Sequence, residues 1–184
     1  MGIGRKLANW AVIAVAAAII LAFALPSYRQ GEASIAGSRA RDFSLTLDGK
    51  SAHLSDFRGK IVVLNFFGSW CQPCVEEAPG LTRLQQHISS HNAIVIGVAA
   101  DEDEAAYKKF LLEQATNYPT YRDPATKENR SAIAESYGTV MVPETYIIDR
   151  NGKIARKIIG YQDWDSPEML AYFDQLLAHS CSRS

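Results

Sequence analysis

The 184-residue sequence has only three cysteines, too few for a scaffold held together by disulfides. It also lacks a charge excess, because 19 Lys and Arg against 20 Asp and Glu leave a formal net charge of −1. Without a basic stripe, nothing indicates a nucleic-acid partner. We find no internal repeat and no low-complexity tract. The remaining composition, 47% hydrophobic and 21% charged, is that of one compact domain preceded by an N-terminal segment.

Two of the three cysteines, Cys71 and Cys74, form a Cys-x-x-Cys pair. The pair follows residues 61–67, a run of β-branched and aromatic residues that predicts a buried strand, and precedes residues of helical composition. A Cys-x-x-Cys pair where a strand leads into a helix is typical of a redox dithiol. A structural zinc site would need a second ligand pair, for which Cys181 and a histidine are poor candidates. We therefore predict no metal ligand and no cofactor.

The N-terminus carries the one long apolar run of the chain. Residues 1–6 form a short basic tail, and residues 7–25 are apolar apart from Asn9. As a helix, these residues would reach roughly 28 Å, close to the thickness of a hydrocarbon core. Two alternatives remain, an uncleaved membrane anchor, which the unbroken length favours, and a signal segment cleaved after a small-x-small site. Either one takes the domain to the extracytoplasmic (periplasmic) side of a membrane, with residues 1–6 in the cytoplasm.

A folded domain is predicted for residues 41–179, between a linker at 26–40 and a polar tail at 180–184. Alternating residues around Asp48-Gly49 predict a β-hairpin, and a second hairpin is predicted around Asn151-Gly152. Residues 93–99 predict another buried strand, the acids at 101–104 a solvated helix start, and Ser166 the cap of a last helix. The order predicts an α/β fold with a mixed sheet, parallel in its first half, and helices on both faces.

This order resembles a thioredoxin fold when it is combined with four local features: Trp70 before the cysteines, the Cys-x-Pro-Cys pair, Pro79 in the next helix, and Val-Pro-Glu-Thr at 142–145. More specifically, the chain resembles the membrane-tethered TlpA/ResA/CcmG-like thiol-disulfide oxidoreductases. The resemblance covers roughly residues 40–178. It implies an extra N-terminal β-hairpin and an insert before a cis-proline at Pro143.

The cysteines have different predicted roles. The thiolate is the attacking species in disulfide exchange, and an unperturbed thiol with a pKa of about 8.5 is mostly protonated at neutral pH. Cys71 is expected at the first turn of a helix, where the helix dipole contributes up to ~2 kcal/mol, or about 1.5 pKa units. Cys71 is therefore the predicted nucleophile and Cys74 the resolving cysteine. Pro73 is tolerated between them, because first-turn N–H groups have no helical partner.

The residue six positions before Cys71 is Asn65, where ordinary thioredoxins have a buried aspartate that accepts a proton. Asparagine cannot do so. Glu77 shares a helix face with Cys74 at a spacing of three. The resemblance to ResA-like proteins implies that Glu77 takes the acid/base role, with Glu76 as its solvated neighbour. The alternative is that both glutamates are exposed helix charges.

Four further residues are expected around the cysteines, and the resemblance assigns three of them, Val142, Pro143 and Glu144. A cis Pro143 would pack against the cysteines, and the backbone of Val142 would offer hydrogen bonds to an extended substrate segment. Glu144 would tune the site or point to solvent. Trp70 would cover the cysteine pair or belong to the core.

The predicted function is an extracytoplasmic thiol-disulfide oxidoreductase that acts mainly as a reductant. The resemblance implies apocytochrome c as a cysteine-containing substrate and a transmembrane electron donor of the DsbD/CcdA kind. A disulfide-forming oxidase of the same fold and a non-enzymatic substrate-holding module are alternatives. A peroxiredoxin-like peroxidase is disfavoured, because Gly68 and Leu64 stand where that pattern has Thr or Ser and Pro.

Overall fold

The computed structural model describes residues 35–47, 49–125 and 131–179. The predicted basic tail, the apolar run at 7–25, most of the linker, and the tail at 180–184 with Cys181 lie outside these residues. Within the three described stretches, we find no helix that is both long and apolar enough to cross a bilayer.

A five-stranded mixed sheet forms the centre of the domain. Its strands are β3 (Ile61–Phe67), β4 (Ala93–Ala99), β5 (Thr120–Arg122), β6 (Glu144–Ile148) and β7 (Ile154–Ile159). They lie in the order β5-β4-β3-β6-β7. Central β3 pairs in parallel with β4, which pairs in parallel with β5, whereas β6 and β7 continue the sheet antiparallel. This is the predicted mixed topology.

Helices α1 (Gln72–Ile88) and α4 (Pro167–His179) cover one face of the sheet, burying Leu81, Leu84, Phe173 and Leu177 against Ile61, Val63 and Ile147. The other face is covered by α3 (Ala132–Tyr137) and by the predicted hairpin of β1 (Ser44–Leu47) and β2 (Lys50–His53). Successive residues of β3 point to opposite faces, so this strand contributes to both core layers. Helix α2 (Glu104–Glu113) contributes Phe110 to a third, smaller cluster around the cysteines.

Local signals account for where several elements begin and end. Asp103 caps α2 by accepting from the N–H of Ala105, and Ser131 caps α3 through Ala134. Gly138 ends α3 with a positive φ of 72°, a conformation that favours glycine. The predicted last hairpin is present, with its first strand β6 beginning at Glu144.

Residues 35–40, which were assigned to the linker, are bound to the domain. The N–H of Gly37 donates to the carbonyl of Ile154 at 2.8 Å, and that of Ala40 donates to Gly152 at 2.9 Å. The backbones of Arg39 and Lys153 form an isolated antiparallel β-bridge. The composition of this segment, rich in small and polar residues, concealed its pairing with the β6–β7 hairpin.

Candidate active site

The two cysteines lie where β3 leads into α1, and they form a disulfide. Cys71 is the N-cap residue of α1, and its sulfur accepts from the N–H of Cys74 at 3.3 Å. Pro73 occupies the first turn, as predicted. The positive end of the helix dipole and the N–H of Cys74, which also donates to the Cys71 carbonyl at 3.0 Å, therefore lie at Cys71 Sγ, where a thiolate forms on reduction.

The cysteine pair is almost fully covered by apolar groups. Cys71 is 5% exposed and Cys74 1% exposed, against Phe67, Ala78, Ala99 and Phe110. The ring centroids of Phe67 and Phe110 lie 5.1 Å apart in a stacked arrangement. These apolar side chains keep water from the sulfurs on the protein side, so a substrate disulfide must approach Cys71 from the solvent side.

The segment before β6 lies against the pair. The Val142–Pro143 peptide bond is cis, and the carbonyl oxygen of Val142 lies 3.5 Å from Cys71 Sγ. The N–H of Gly160 donates to the carbonyl of Pro143 at 2.8 Å, which attaches this segment to the end of β7. The expected placement of Val142 and Pro143 beside the cysteines is therefore present.

Trp70 is 51% exposed, so the core alternative for this residue is wrong. Its indole lies against the backbone of Gly68, where a Cβ atom would come within 2.6 Å of the ring. Only glycine permits this approach. The indole therefore stands next to the cysteines as an exposed apolar surface.

Asp101 holds the turn that carries Trp70, a contact that the sequence interpretation missed. Its carboxylate accepts from the N–H of Ser69 at 3.1 Å and from the Ser69 hydroxyl. Asp101 is 1% exposed, so the interpretation of residues 101–104 as a uniformly solvated helix start is wrong for this first acid. The turn before Cys71 is thus fixed from the end of β4.

Glu77 is buried, with 2% of its surface exposed, whereas Glu76 is exposed. The alternative of two exposed helix charges is therefore wrong for Glu77. Its Oε1 accepts from Asn65 Nδ2 at 2.8 Å, and its Oε2 accepts from Trp164 Nε1 at 3.1 Å and the N–H of Gln162 at 3.3 Å. Burial raises the pKa of Glu77 to about 7, although the three hydrogen bonds act against the shift.

Asn65 connects Glu77 to the sheet. Its side-chain nitrogen donates both to Glu77 and, at 2.9 Å, to Thr145 Oγ1 on the neighbouring strand β6. The amide thus serves as a hydrogen-bond donor at the position where a thioredoxin aspartate accepts a proton. The acid of this site comes from the helix rather than from the strand.

Trp164 is a site residue that the sequence interpretation missed. It is fully buried in the loop between β7 and α4 and donates to Glu77. A bulky aromatic residue between Asp163 and Asp165 was the available signal, because such a residue in an otherwise polar loop has a reason to be buried.

Glu144 is also buried, so the solvent alternative for this residue is wrong. Its Oε1 accepts from the Lys157 ammonium at 2.8 Å, from Thr139 Oγ1 at 2.8 Å, and from the Tyr146 hydroxyl. Burial alone lowers the pKa of Lys157, but the hydrogen bonds to Glu144 and Tyr146 outweigh it and the pKa is raised. Glu144 does not face a bound substrate directly, since its side chain is 0% exposed.

Residues 36–157 match the AhpC/TSA family, which is about two thirds of the chain. The chain belongs to the AhpC/TSA family. It is similar to the thiol-disulfide oxidoreductase ResA of Bacillus cereus, with 37% identity over 127 residues, or 68% of this chain and 70% of that one. Against ResA of Bacillus subtilis the identity is 32% over 132 residues, covering 71% of each chain.

Solved structures agree with this assignment. A thiol:disulfide interchange protein of the thioredoxin family from Chlorobium tepidum superposes with a TM-score of 0.61 at 27% identity, covering 78% of this chain and 96% of that one. The resemblance to ResA-like proteins is thus confirmed, and this AhpC/TSA-family chain is a thiol-disulfide oxidoreductase with the thioredoxin fold.

Proposed function

We propose that the protein is a membrane-tethered, extracytoplasmic reductant that keeps cysteines of a partner protein reduced during cytochrome c maturation. The observation that carries the proposal is the Cys71–Cys74 disulfide at the start of α1, with one sulfur at the helix N-cap. The apolar run at 7–25 supports the tether. The extracytoplasmic location is part of the same proposal, since an anchor or a cleaved signal segment would carry the following domain across the membrane.

In this proposal, disulfide reduction takes two exchange steps. Cys71 thiolate attacks one sulfur of the substrate disulfide, forms a mixed disulfide, and releases the other sulfur as a thiolate. Cys74 thiolate then attacks Cys71 Sγ, closes the Cys71–Cys74 disulfide, and releases the second substrate thiolate. The substrate gains two electrons and the pair loses two, so a transmembrane donor of the DsbD/CcdA kind must reduce the pair again.

Glu77 is the proposed acid/base group for the second step. Cys74 must lose its proton before it can attack, and it is buried away from solvent bases. Glu77 is the buried carboxylate one turn further along the same helix face. With a pKa of about 7, it is able both to accept the thiol proton and to release it again at neutral pH.

The surface around the cysteines supports a polypeptide substrate. Six large hydrophobic side chains are exposed in the described part of the chain. Five of them belong to segments that meet at the site: the residue before Cys71, residues 140 and 141 ahead of Pro143, and the two neighbours of Gly160, whose N–H donates to Pro143. An apolar rim of this kind fits an extended segment whose cysteine reaches Cys71, with backbone hydrogen bonds from Val142. Apocytochrome c, with its Cys-x-x-Cys-His segment, is the proposed substrate. The five rim residues are Trp70, Val140, Met141, Ile159 and Tyr161.

The reduction potential tests the direction of electron flow. We expect equilibrium titration of the full chain against glutathione and dithiothreitol to give a value more negative than about −200 mV. The reduced protein should then open the disulfide of a Cys-x-x-Cys-His peptide stoichiometrically. Cys71→Ser should abolish this reaction, and Cys181→Ser should leave it unchanged as the matched control. A potential near about −120 mV would instead identify an oxidase, and consumption of hydrogen peroxide without added thiol substrate would identify a peroxidase.

A further inference from the structure

The loop between β7 and α4, residues 160–166, is docked tightly on α1 over Glu77. A Cβ atom at Gly80 would lie 3.1 Å from Asp165 Oδ1 and 3.4 Å from Trp164 Cβ, so the absence of a side chain there lets the loop approach the helix. On the outer side, Arg83 holds Asp165 through two hydrogen bonds, at 2.5 Å and 3.0 Å. The loop is therefore held at two points while its buried tryptophan reaches Glu77.

The three donors to Glu77 share one property, which is that none of them carries a charge. The indole N–H and the N–H of Gln162 can donate but cannot accept, and Asn65 presents its amide nitrogen. Donors of this kind favour the ionised carboxylate over the protonated acid, whereas burial favours the acid. The loop supplies two of the three donors, both on Oε2. The charge state of Glu77 is thus set by a balance in which the loop opposes burial.

We propose that Trp164 is a positioning residue for the resolving step, and that its indole N–H keeps Glu77 ionised and directed so that the carboxylate accepts the proton of Cys74. This deepens the acid/base role proposed above for Glu77 and rests on it. The loop after β7 then acts on the chemistry through Glu77, without touching the substrate sulfurs.

The proton and electrons balance within one exchange step. The Cys74 thiol transfers its proton to a Glu77 oxygen and becomes a thiolate. That thiolate attacks Cys71 Sγ in the mixed disulfide, the Cys71–Cys74 bond forms, and the bond to the substrate sulfur breaks. The substrate leaves as a thiolate with the electron pair of the broken bond. Glu77 later returns its proton to solvent, or to Cys74 when the pair is reduced.

Few other titratable groups face Glu77. On the same face of its own helix this is Cys74. Across the core, Tyr118 lies close enough that burial and the charge of Glu77 both raise the pKa of its hydroxyl. Tyr118 is protonated at any pH where the enzyme works. The pH dependence of resolution is therefore expected to follow Glu77 and Cys74.

Stopped-flow reaction of the reduced full-length protein with Ellman's reagent separates the two steps. In a Cys181→Ser background, which removes the third thiol of the chain, the first thionitrobenzoate is released by Cys71 and the second by Cys74. Trp164→Phe removes the indole N–H and keeps an aromatic ring. We expect it to slow the second phase about three- to tenfold near pH 6.5, to move its pH midpoint upward, and to leave the first phase unchanged.

Two comparisons test whether Trp164 acts through Glu77. In a Glu77→Gln background, Trp164→Phe should add no further change to the second phase. Phe173→Leu, which loosens the same buried cluster without touching the carboxylate, should leave the pH midpoint where it is. The role of Trp164 is overturned if Phe173→Leu shifts the pH midpoint of the second phase as much as Trp164→Phe does. It is also overturned if Trp164→Phe leaves that midpoint unshifted although Glu77→Gln abolishes the pH dependence. An unchanged pH profile in Glu77→Gln overturns the role of Glu77 as well.

A measurement on the wild-type protein avoids any folding defect of the variants. The Trp164 indole N–H resonance should titrate with the midpoint of Glu77, and this titration should vanish in Glu77→Gln. A resonance that stays constant through neutral pH would contradict the proposal.

Discussion

Glu77 and Glu144 are both fully enclosed, but they lie on opposite faces of one sheet and have different partners. Glu77 extends from α1, and its three donors are neutral. Glu144 extends from β6 toward the face covered by α3, and it is paired with the ammonium of Lys157. A buried carboxylate with a cation is held as a structural ion pair, whereas one with neutral donors only is left able to change its protonation state. The difference identifies which glutamate is suited to proton transfer.

The largest expected effect follows from removing the cation of Glu144. Lys157→Met leaves a buried carboxylate without a counter-charge, and we expect the free energy of unfolding to fall by about 3 kcal/mol. Denaturant titration measures the change. Lys108→Met is the matched control, because its ion pair with Glu104 joins side chains that are 67% and 55% exposed. Its removal should change stability by less than about 0.5 kcal/mol. Equal losses in the two variants would contradict the structural role of the Glu144 pair.

The second effect is a pH dependence that belongs to Glu77 alone. The unfolded chain releases the Glu77 proton near pH 4.5, whereas the folded protein holds it to about 7. Below the lower value both states are protonated and burial of the carboxyl carries no ionisation cost. As the pH rises through this window, the stability of the fold relative to Glu77→Gln should fall by about 3 kcal/mol.

Denaturant titrations at pH 4.5, 6 and 8 measure this difference. Glu76→Gln, at the exposed neighbour, is the control and should keep the wild-type pH dependence. If the free energies of unfolding of Glu77→Gln and wild type changed with pH in parallel across the whole range, Glu77 would not differ from Glu144 in its ability to change protonation state.

The smallest effects come from two threonines, one beside each glutamate. Thr139→Val removes a hydroxyl that donates to Glu144, and Thr145→Val removes the acceptor of Asn65. Each should lower the free energy of unfolding by about 1 kcal/mol. Only Thr145→Val should also move the pH midpoint of the resolving step, since Asn65 is hydrogen-bonded to Glu77. A shift of that midpoint in Thr139→Val would show that the two faces of the sheet are coupled.

The strands nearest the cysteines could be predicted to the residue. Parallel strands covered on both faces are continuous apolar runs, so residues 61–67 and 93–99 correspond directly to β3 and β4. The position of the cysteines at a helix start followed from the same pattern. These predictions succeeded because they depend on local composition.

Other parts of the site depend on contacts between distant segments, which local composition does not contain. The burial of Glu144 follows from the register of β6 and β7, which places Lys157 opposite Tyr146. Trp164 reaches Glu77 only because the loop folds back over Gly80, a contact across 87 positions of sequence. Asp101 stood in a run of acids that concealed its contact with Ser69. The burial of Glu144 and the contacts of Trp164 and Asp101 therefore depend on which segments the fold brings together, and not on residue type.

The attachment of residues 35–40 has a mechanical consequence. This segment pairs with Gly152 and Ile154, at the start of β7, whereas the cysteines lie beside the opposite end of that strand. Six residues of β-strand separate the two ends by about 20 Å. A pull on the chain ahead of residue 35 would therefore be borne by the β6–β7 hairpin, at the end of β7 that lies away from the sulfurs.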